Sequence, residues 1–227
     1  MASRRRIGVE GSETWALLLD TAEQIMREEG YPAVTTRRLA GRMGVSSQLV
    51  HYYFRSMDDL FLALMRRGQE RTISRLLEAF SSEEPLRALW DFYSDKDFSR
   101  LALEFMALTN HRKSIFAEAA RGSKHMRRLE AEALSRVLDA RGVDTKIYPP
   151  TGLALLLSAI PRVMVQEAGL GVTLGHADAT AIVERFFNAL GARRKTKRKT
   201  PRRLRRGFVW PSKSNSPSAV SCQFHGT

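Results

Sequence analysis

The sequence has little cysteine and no long apolar run, and both shortages exclude classes of protein. A single cysteine, Cys222, in 227 residues provides neither a disulfide framework nor a cysteine-based zinc site. The longest apolar stretch, residues 153–161, is about half as long as a membrane span requires. The arginines near the N-terminus precede no apolar stretch, so no secretory signal is predicted. We therefore expect a soluble cytoplasmic protein.

Sequence motifs of catalysis are also missing. The chain has no Walker loop, no Gly-x-Ser-x-Gly and no His-Glu-x-x-His, and its five histidines are scattered. The Gly169-Leu170-Gly171 turn follows a predicted helix rather than a strand, which argues against a dinucleotide site. The sequence therefore predicts a protein that is not an enzyme and that uses no cofactor or metal.

Positive charge is abundant and unevenly placed. Lys and Arg number 37 against 24 Asp and Glu, a formal net charge of +13. The excess lies in residues 34–56, which hold four arginines and no acid, and in residues 193–227, which hold 11 Lys and Arg and no acid. This distribution indicates a polyanionic partner at one end of a nearly neutral body.

Hydrophobic periodicity predicts an all-α fold. Apolar residues recur at three- and four-residue spacing from Ser12 to Gly30, and sustained alternation of period two is missing throughout. Ser56 and Asp59 form a predicted capping box. The predicted helices span residues 12–30, 36–43, 46–54, 57–80, 86–94, 97–110, 114–141, 151–168 and 178–190.

The segment from Thr36 to Phe54 has the spacing of a DNA-binding helix-turn-helix. Ala40 supplies the small side chain where the two helices cross, and Gly44 accepts the left-handed turn between them. Apolar residues at the flanking positions close a small core, namely Leu39, Met43, Val45 and Val50. The alternative is an ordinary helical hairpin with a glycine turn, but this segment is also the acid-free basic one.

The N-terminal third resembles a known family. Gly30-Tyr31-Pro32-Ala33-Val34-Thr35-Thr36, Leu39-Ala40, Gly44-Val45-Ser46, Tyr52-Tyr53-Phe54-Arg55-Ser56 and Asp59-Leu60 are similar to the DNA-binding domain of TetR-type transcriptional regulators. The resemblance is strong over residues 12–62. It implies a three-helix DNA-binding head on a larger helical body that dimerises and binds an effector, which usually loosens a repressor's grip on its operator.

Roles on the DNA follow from the motif. Gln48 can bond an adenine edge in the major groove, whereas residues opening the second helix meet the phosphate backbone. The predicted contacts are Thr36, Arg37, Arg38, Ser46, Ser47, Gln48, Leu49, His51, Tyr52 and Arg55. The chain departs from the family at Met57, His51 and Leu49, where that family usually has Lys, Tyr and a small polar residue. The first two changes weaken the hold on phosphate, and Leu49 can pack only on a thymine methyl.

The helical body offers a candidate pocket and a candidate dimer surface. Large apolar residues predict either plain core or, by the family resemblance, a wall around a small apolar effector: Phe92, Phe105, Met106, Phe116, Met126 and Leu129. By the same resemblance two apolar stripes predict a dimeric four-helix bundle: Leu153, Leu156, Leu157, Ile160 and Met164, then Ile182, Phe186 and Leu190. Pro161 is expected to kink or interrupt the first of these helices.

Together these features predict four segments: a basic N-terminus over residues 1–11, a DNA-binding domain over 12–56, an effector-binding and dimerisation domain over 57–192 and a disordered tail over 193–227. The predicted function is a ligand-responsive transcriptional repressor that acts as a homodimer on a palindromic operator in double-stranded DNA. The alternative is a helical adaptor that binds RNA, DNA or anionic lipid non-specifically through the tail, which has ten Lys and Arg in residues 193–206.

Overall fold

The computed structural model describes residues 8–192, and these residues contain only helices and the turns between them. The nine α-helices of this part of the chain are α1 (Glu13–Glu29), α2 (Thr36–Met43), α3 (Ser47–Tyr53), α4 (Met57–Ser81), α5 (Pro85–Tyr93), α6 (Lys96–Thr109), α7 (Lys113–Ala140), α8 (Pro150–Gly169) and α9 (His176–Ala192). The predicted all-α class and helix order are confirmed. The predicted tail at 193–227 lies outside the described residues, as do the arginines of the predicted N-terminal segment.

Local sequence signals set the helix ends. The Ser12 side chain accepts from the Trp15 N–H and starts α1, and Thr35 accepts from the Arg38 N–H and starts α2. Ser56 and Asp59 form the predicted capping box at the start of α4, each side chain bonding the other residue's backbone N–H. These bonds satisfy amide groups that the first helical turn leaves unpaired.

A first hydrophobic core lies where α1, α2, α3 and the first half of α4 meet. Its fully buried side chains include Leu18 and Leu19 of α1, Leu39 of α2 and Phe61 of α4. Leu108 of α6 and Ile115 of α7 belong to the same cluster and are also fully buried. Helices of the predicted body therefore complete the core of the predicted head.

A second core lies between α5, α7, α8 and α9. Leu89, Leu134 and Ala154 are fully buried there, and Trp90 packs edge-on against Phe187 with ring centroids 6.4 Å apart. Helix α8 runs without interruption through Pro161, so the prediction of an interruption is wrong. Pro161 is itself buried, and packing of α8 against α5 and α7 holds the helix together across the missing backbone bond.

None of the helices between residues 8 and 192 is both long and apolar enough to cross a membrane.

Candidate DNA-binding interface and effector cavity

Helices α2 and α3 form the tight turn that the sequence predicts. Gly44 has φ 65° and ψ 31°, the left-handed conformation that its missing side chain permits. The next residue, Val45, donates its N–H to the Ala40 carbonyl at 3.0 Å, which closes the end of α2. Ala40 and Val50 are buried in the first core, so one side of each helix is fixed.

The opposite side of α3 is exposed at its N-terminal end. Ser46, Ser47 and Gln48 are exposed, and Leu49 is half-buried. Ser46 holds the capping position of α3, but its side chain makes no capping bond. An exposed helix start with hydroxyl and amide side chains is the arrangement that enters a major groove and bonds base edges. The role of these residues on DNA stays a prediction.

The C-terminal end of α3 carries His51 and Tyr52, both exposed, while the ring of Tyr52 meets Tyr53 edge-on at 5.2 Å. Gly8 donates its N–H to the Tyr52 carbonyl at 2.8 Å. A Cβ at Gly8 would lie 2.3 Å from the Tyr53 ring, so a larger residue there would force this ring to move. Sequence reasoning missed this contact, because nothing local links Gly8 to α3.

Ion pairs reduce the positive charge that the sequence assigns to the interface. Arg38 Nη2 lies 2.7 Å from Glu29 Oε1, and Arg42 pairs with both Glu28 and Glu29. The Arg42 hydrogen bond lowers the pKa of Glu28, and the Arg38 hydrogen bond lowers that of Glu29. Both acids lie outside the acid-free segment, which is why the charge count concealed them.

Two predicted DNA contacts remain unneutralised, and another is already engaged. Arg37 and Arg55 are exposed and form no ion pair with a carboxylate of the described chain. The Thr36 hydroxyl donates to Met57 Sδ at 3.5 Å, so this threonine must leave an internal bond to reach a phosphate. The departure at Met57 thus removes a cation and also occupies a neighbouring donor.

A cavity of about 380 Å³ lies between the head and the body, with α1, α4, α5, α6, α7 and α8 around it. Three residues predicted for the effector pocket line it: Phe105, Met106 and Met126. Its apolar wall also includes Met65, Phe98 and Leu101. This volume lies within the range of small-molecule sites.

The remaining three residues predicted for the pocket wall do not line this cavity. Phe92 is buried in the second core, where its ring lies 4.8 Å from that of Tyr93. Phe116 is 60% exposed on the outer face of α7, and Leu129 is half-buried away from the cavity. Apolar periodicity marked these side chains correctly as apolar, but it cannot separate core or surface from a cavity wall.

Charged side chains form the rest of the wall, and sequence reasoning missed them. Five arginines and four carboxylates line the cavity: Arg27, Arg71, Arg75, Arg127 and Arg162, with Glu23, Asp95, Asp97 and Glu130. Glu130 is 1% exposed and accepts a hydrogen bond from the Tyr93 hydroxyl. The spacing of Arg127 and Glu130 on the inner face of α7 was the one local signal that could have indicated them.

Several polar contacts join the cavity wall to the DNA-binding head. Glu23 and Arg27 belong to α1 of the head and line the cavity directly. Arg27 Nη1 donates to the Asp97 carbonyl of α6 at 3.0 Å, and the Tyr31 N–H donates to Glu104 of α6 at 2.7 Å. The cavity wall itself includes residues of both parts, so a bound molecule touches the head and the body.

The predicted dimer surface needs correction. Leu153, Leu157 and Leu190 are buried inside their own chain, so they do not face a partner. Ile160, Met164 and Phe186 are half-buried against the same core. Only Leu156 and Ile182 of the predicted set are exposed, at 58% and 59%, and Leu155 and Val163 add further exposed apolar surface on α8. The outward apolar face of α8 and α9 is therefore offset from the predicted one.

Comparisons with known proteins agree with this geometry. Residues 18–64 match the model of the family described as bacterial regulatory proteins, tetR family. The HTH-type transcriptional regulator BetI of Agrobacterium fabrum is 25% identical over 193 residues, covering 81% of this chain and 90% of that protein. The HTH-type transcriptional repressor Rv1474c of Mycobacterium tuberculosis is 41% identical over 54 residues, 24% of this chain and 29% of its own.

The fold has solved counterparts. A transcriptional regulator from Saccharomonospora viridis, crystallised in complex with choline, superposes with a TM-score of 0.61 at 20% identity. The match covers 82% of this chain and 97% of that one. Likeness at this level of identity establishes the shared fold, over the head and the body together.

Proposed function

We propose that the chain is a dimeric, sequence-specific repressor of the TetR type that is released by a small-molecule effector, since residues 18–64 match that family's model. The observation that carries the proposal is α3, which is fixed by Val50 in the core while Ser46, Ser47 and Gln48 project outward. A helix held in the core with an exposed polar start can read base edges, whereas a run of Lys and Arg side chains chiefly contacts phosphates.

The cavity supports control of DNA binding by an effector. Its wall includes Glu23 and Arg27 of α1, so a molecule bound there touches residues of the head directly. Asp97 of α6 lines the cavity and accepts from Arg27 through its backbone carbonyl, and Glu104 of the same helix accepts from the Tyr31 N–H in the segment that precedes α2. An effector that binds best when these contacts are rearranged lowers DNA affinity by the same factor by which DNA lowers effector affinity.

The exposed apolar face of α8 and α9 supports a homodimer. Leu155, Leu156, Val163 and Ile182 project from helices whose other sides are buried in the second core. Such a face is covered most simply by its own copy across a two-fold axis, which makes a four-helix bundle. Two identical heads then meet one duplex.

Selection of bound sites from a random DNA pool tests the proposal. We expect near-palindromic sites whose half-sites are separated by about one helical turn, ~34–36 Å, or a related interval. Recovery of one asymmetric half-site bound by a monomer would overturn the dimeric assignment. Recovery of no preferred sequence would overturn the regulator itself and favour the adaptor that binds through its tail.

Replacing Gln48 with Ala separates the recognition of bases from the sequence-independent affinity for the phosphate backbone. We expect operator affinity to fall by on the order of 1–3 kcal/mol, with relaxed preference at one base pair in each half-site, because a bidentate contact to adenine is lost. Affinity for a scrambled duplex should barely change. The measurement is a salt titration of binding to both duplexes, monitored by fluorescence anisotropy.

Deletion of residues 193–227 is the matched comparison. Loss of these basic residues should weaken binding to operator and scrambled duplexes alike and flatten the dependence of log affinity on log salt. If the deletion abolishes discrimination while Gln48→Ala leaves it intact, α3 is not the reading element.

A further inference from the structure

One part of the effector cavity is built around two arginines. Arg127 donates to Ser158 Oγ at 3.1 Å, and Arg162 donates to the same oxygen at 3.3 Å. The Arg162 guanidinium also donates to the Ser158 carbonyl at 2.6 Å and lies 5.3 Å from the centre of the Tyr93 ring. Glu130 completes the group. Its Oε2 lies 3.0 Å from Arg127 Nη1 and forms an ion pair with it, but the two atoms are not aligned for a hydrogen bond. We call these five residues the arginine cluster.

The arginine cluster carries excess positive charge. Its only carboxylate is Glu130, which pairs with Arg127, whereas Arg162 forms no ion pair with any carboxylate in the described part of the chain. Burial raises the pKa of Glu130, although the Tyr93 hydrogen bond and both arginines work against that rise. Protonation of Glu130 would enlarge the positive excess, so either state of this acid leaves a net cation.

The other charged groups on the wall balance more closely. Arg27 and Arg71 share Glu23, and Arg75 pairs with Asp95 at 2.7 Å. Asp97 also lines the cavity, and its backbone carbonyl accepts a hydrogen bond from the Arg27 guanidinium. The unmatched cation is therefore Arg162, beside an apolar wall that includes Phe98 and Met126.

The aromatic ring of the arginine cluster is already occupied by a cation, because the Arg162 guanidinium lies over Tyr93. A ligand cation would have to displace that guanidinium to reach the Tyr93 ring, and it would also meet the positive excess. Planar guanidinium groups instead match a carboxylate, which accepts two parallel hydrogen bonds.

We propose that the effector is an amphipathic carboxylate, with its carboxylate on Arg162 and its apolar body against Phe98, Met126 and the neighbouring apolar wall. This inference rests on the proposed function, because it names the chemical class of the effector at that site. It differs from the purely apolar effector that the sequence predicts, and from the choline of the S. viridis protein, which is a cation.

Three probes with the same chain length test the charge requirement: decanoate and decyltrimethylammonium below their micelle concentrations, and decanol below its solubility limit. Choline is added as a fourth probe. We expect isothermal titration of the full chain to give an affinity for decanoate that is about tenfold or more above that for decanol, because a charged hydrogen-bonded head group adds to the same apolar contact. Equal affinities for decanoate and decanol would overturn the proposal, and so would preference for either cation.

Replacing Arg162 with Gln tests the position of the head group. Decanoate affinity should fall by about tenfold and decanol affinity should change much less, since decanol has no charge for Arg162 to pair with. Arg128→Gln is the matched control, because Arg128 lies on exposed surface of α7 and does not line the cavity. Arg162→Lys keeps the charge and should recover part of the preference for decanoate. An unchanged preference in Arg162→Gln would overturn the placement, and if that variant does not fold, the wild-type probes still decide the chemical class.

Failure of this inference is distinguishable from failure of the proposed function. If choline or decanol binds and releases the selected operator, the regulator stands and only the effector class is wrong. If decanoate binds with the expected preference but operator affinity does not change, the site is right and effector control is wrong. Operator affinity is therefore measured with and without each probe.

Discussion

Replacing Ile182 with Glu is expected to split the proposed dimer and to lower operator affinity by on the order of a hundredfold or more, because two linked heads bind far more tightly than one. Ile182 is 59% exposed on α9, on the face left uncovered by the second core. Across a two-fold axis each introduced carboxylate would be buried against apolar surface and would approach the carboxylate of the other copy. Both the cost of burying the charge and the repulsion between the two charges would destabilise the dimer.

Analytical ultracentrifugation and operator titration measure the two consequences separately. Leu77→Glu is the control, since Leu77 is an exposed apolar residue, at 45%, that lies on α4 rather than on α8 or α9. The control should remain dimeric and bind the operator normally. A dimeric Ile182→Glu variant with full operator affinity would place the interface elsewhere.

Replacing Phe61 with Ala is expected to lower the free energy of unfolding by about 3–5 kcal/mol, the range for large-to-small changes in a core. Phe61 is 1% exposed in the first core, and the Arg112 guanidinium lies 5.3 Å from the centre of its ring. The cavity left behind would also remove the surface on which Arg112 rests while it pairs with Asp58. Urea denaturation at one fixed protein concentration gives the measurement, because the stability of the proposed dimer would depend on concentration.

Leu77→Ala, on the same helix, is the control and should change stability by less than about 0.5 kcal/mol, since an exposed side chain loses little contact. A loss of less than about 1 kcal/mol for Phe61→Ala would mean that the first core relaxes around the gap.

Local chemistry accounts for the parts of the fold that the sequence predicts well. The Ser56 and Asp59 capping box and the left-handed Gly44 are each determined by residues within a few positions, and both lie where predicted. Helix periodicity also gave the order and approximate bounds of α1 to α9. The exposure of Ser46, Ser47 and Gln48 at the start of α3 agrees with the same local spacing, and their contact with bases stays a prediction.

Features set by distant residues were less predictable. Leu153 and Leu156 are both apolar and lie close together on α8, yet one is buried in its own chain and the other is exposed. Periodicity shows that one face of a helix is apolar. It does not show whether another helix of the same chain or a second molecule covers that face. Likewise, the pairing of Arg38 with Glu29 joins two helices, so a count of charge over the basic segment could not detect it.

The first core, which lies beneath α3, determines how much of the chain must stay together for the head to fold. Leu108 and Ile115, from α6 and α7, are fully buried among the side chains of α1 to α4. A fragment ending near residue 56 would lose the parts of this core that α4, α6 and α7 supply, and the apolar side chains that they cover would face water. We therefore expect such a fragment to be unstable alone. A chimera that joins this head to the body of a relative must carry the Leu108 and Ile115 contacts with it, so the unit that can be exchanged is larger than the DNA-binding motif.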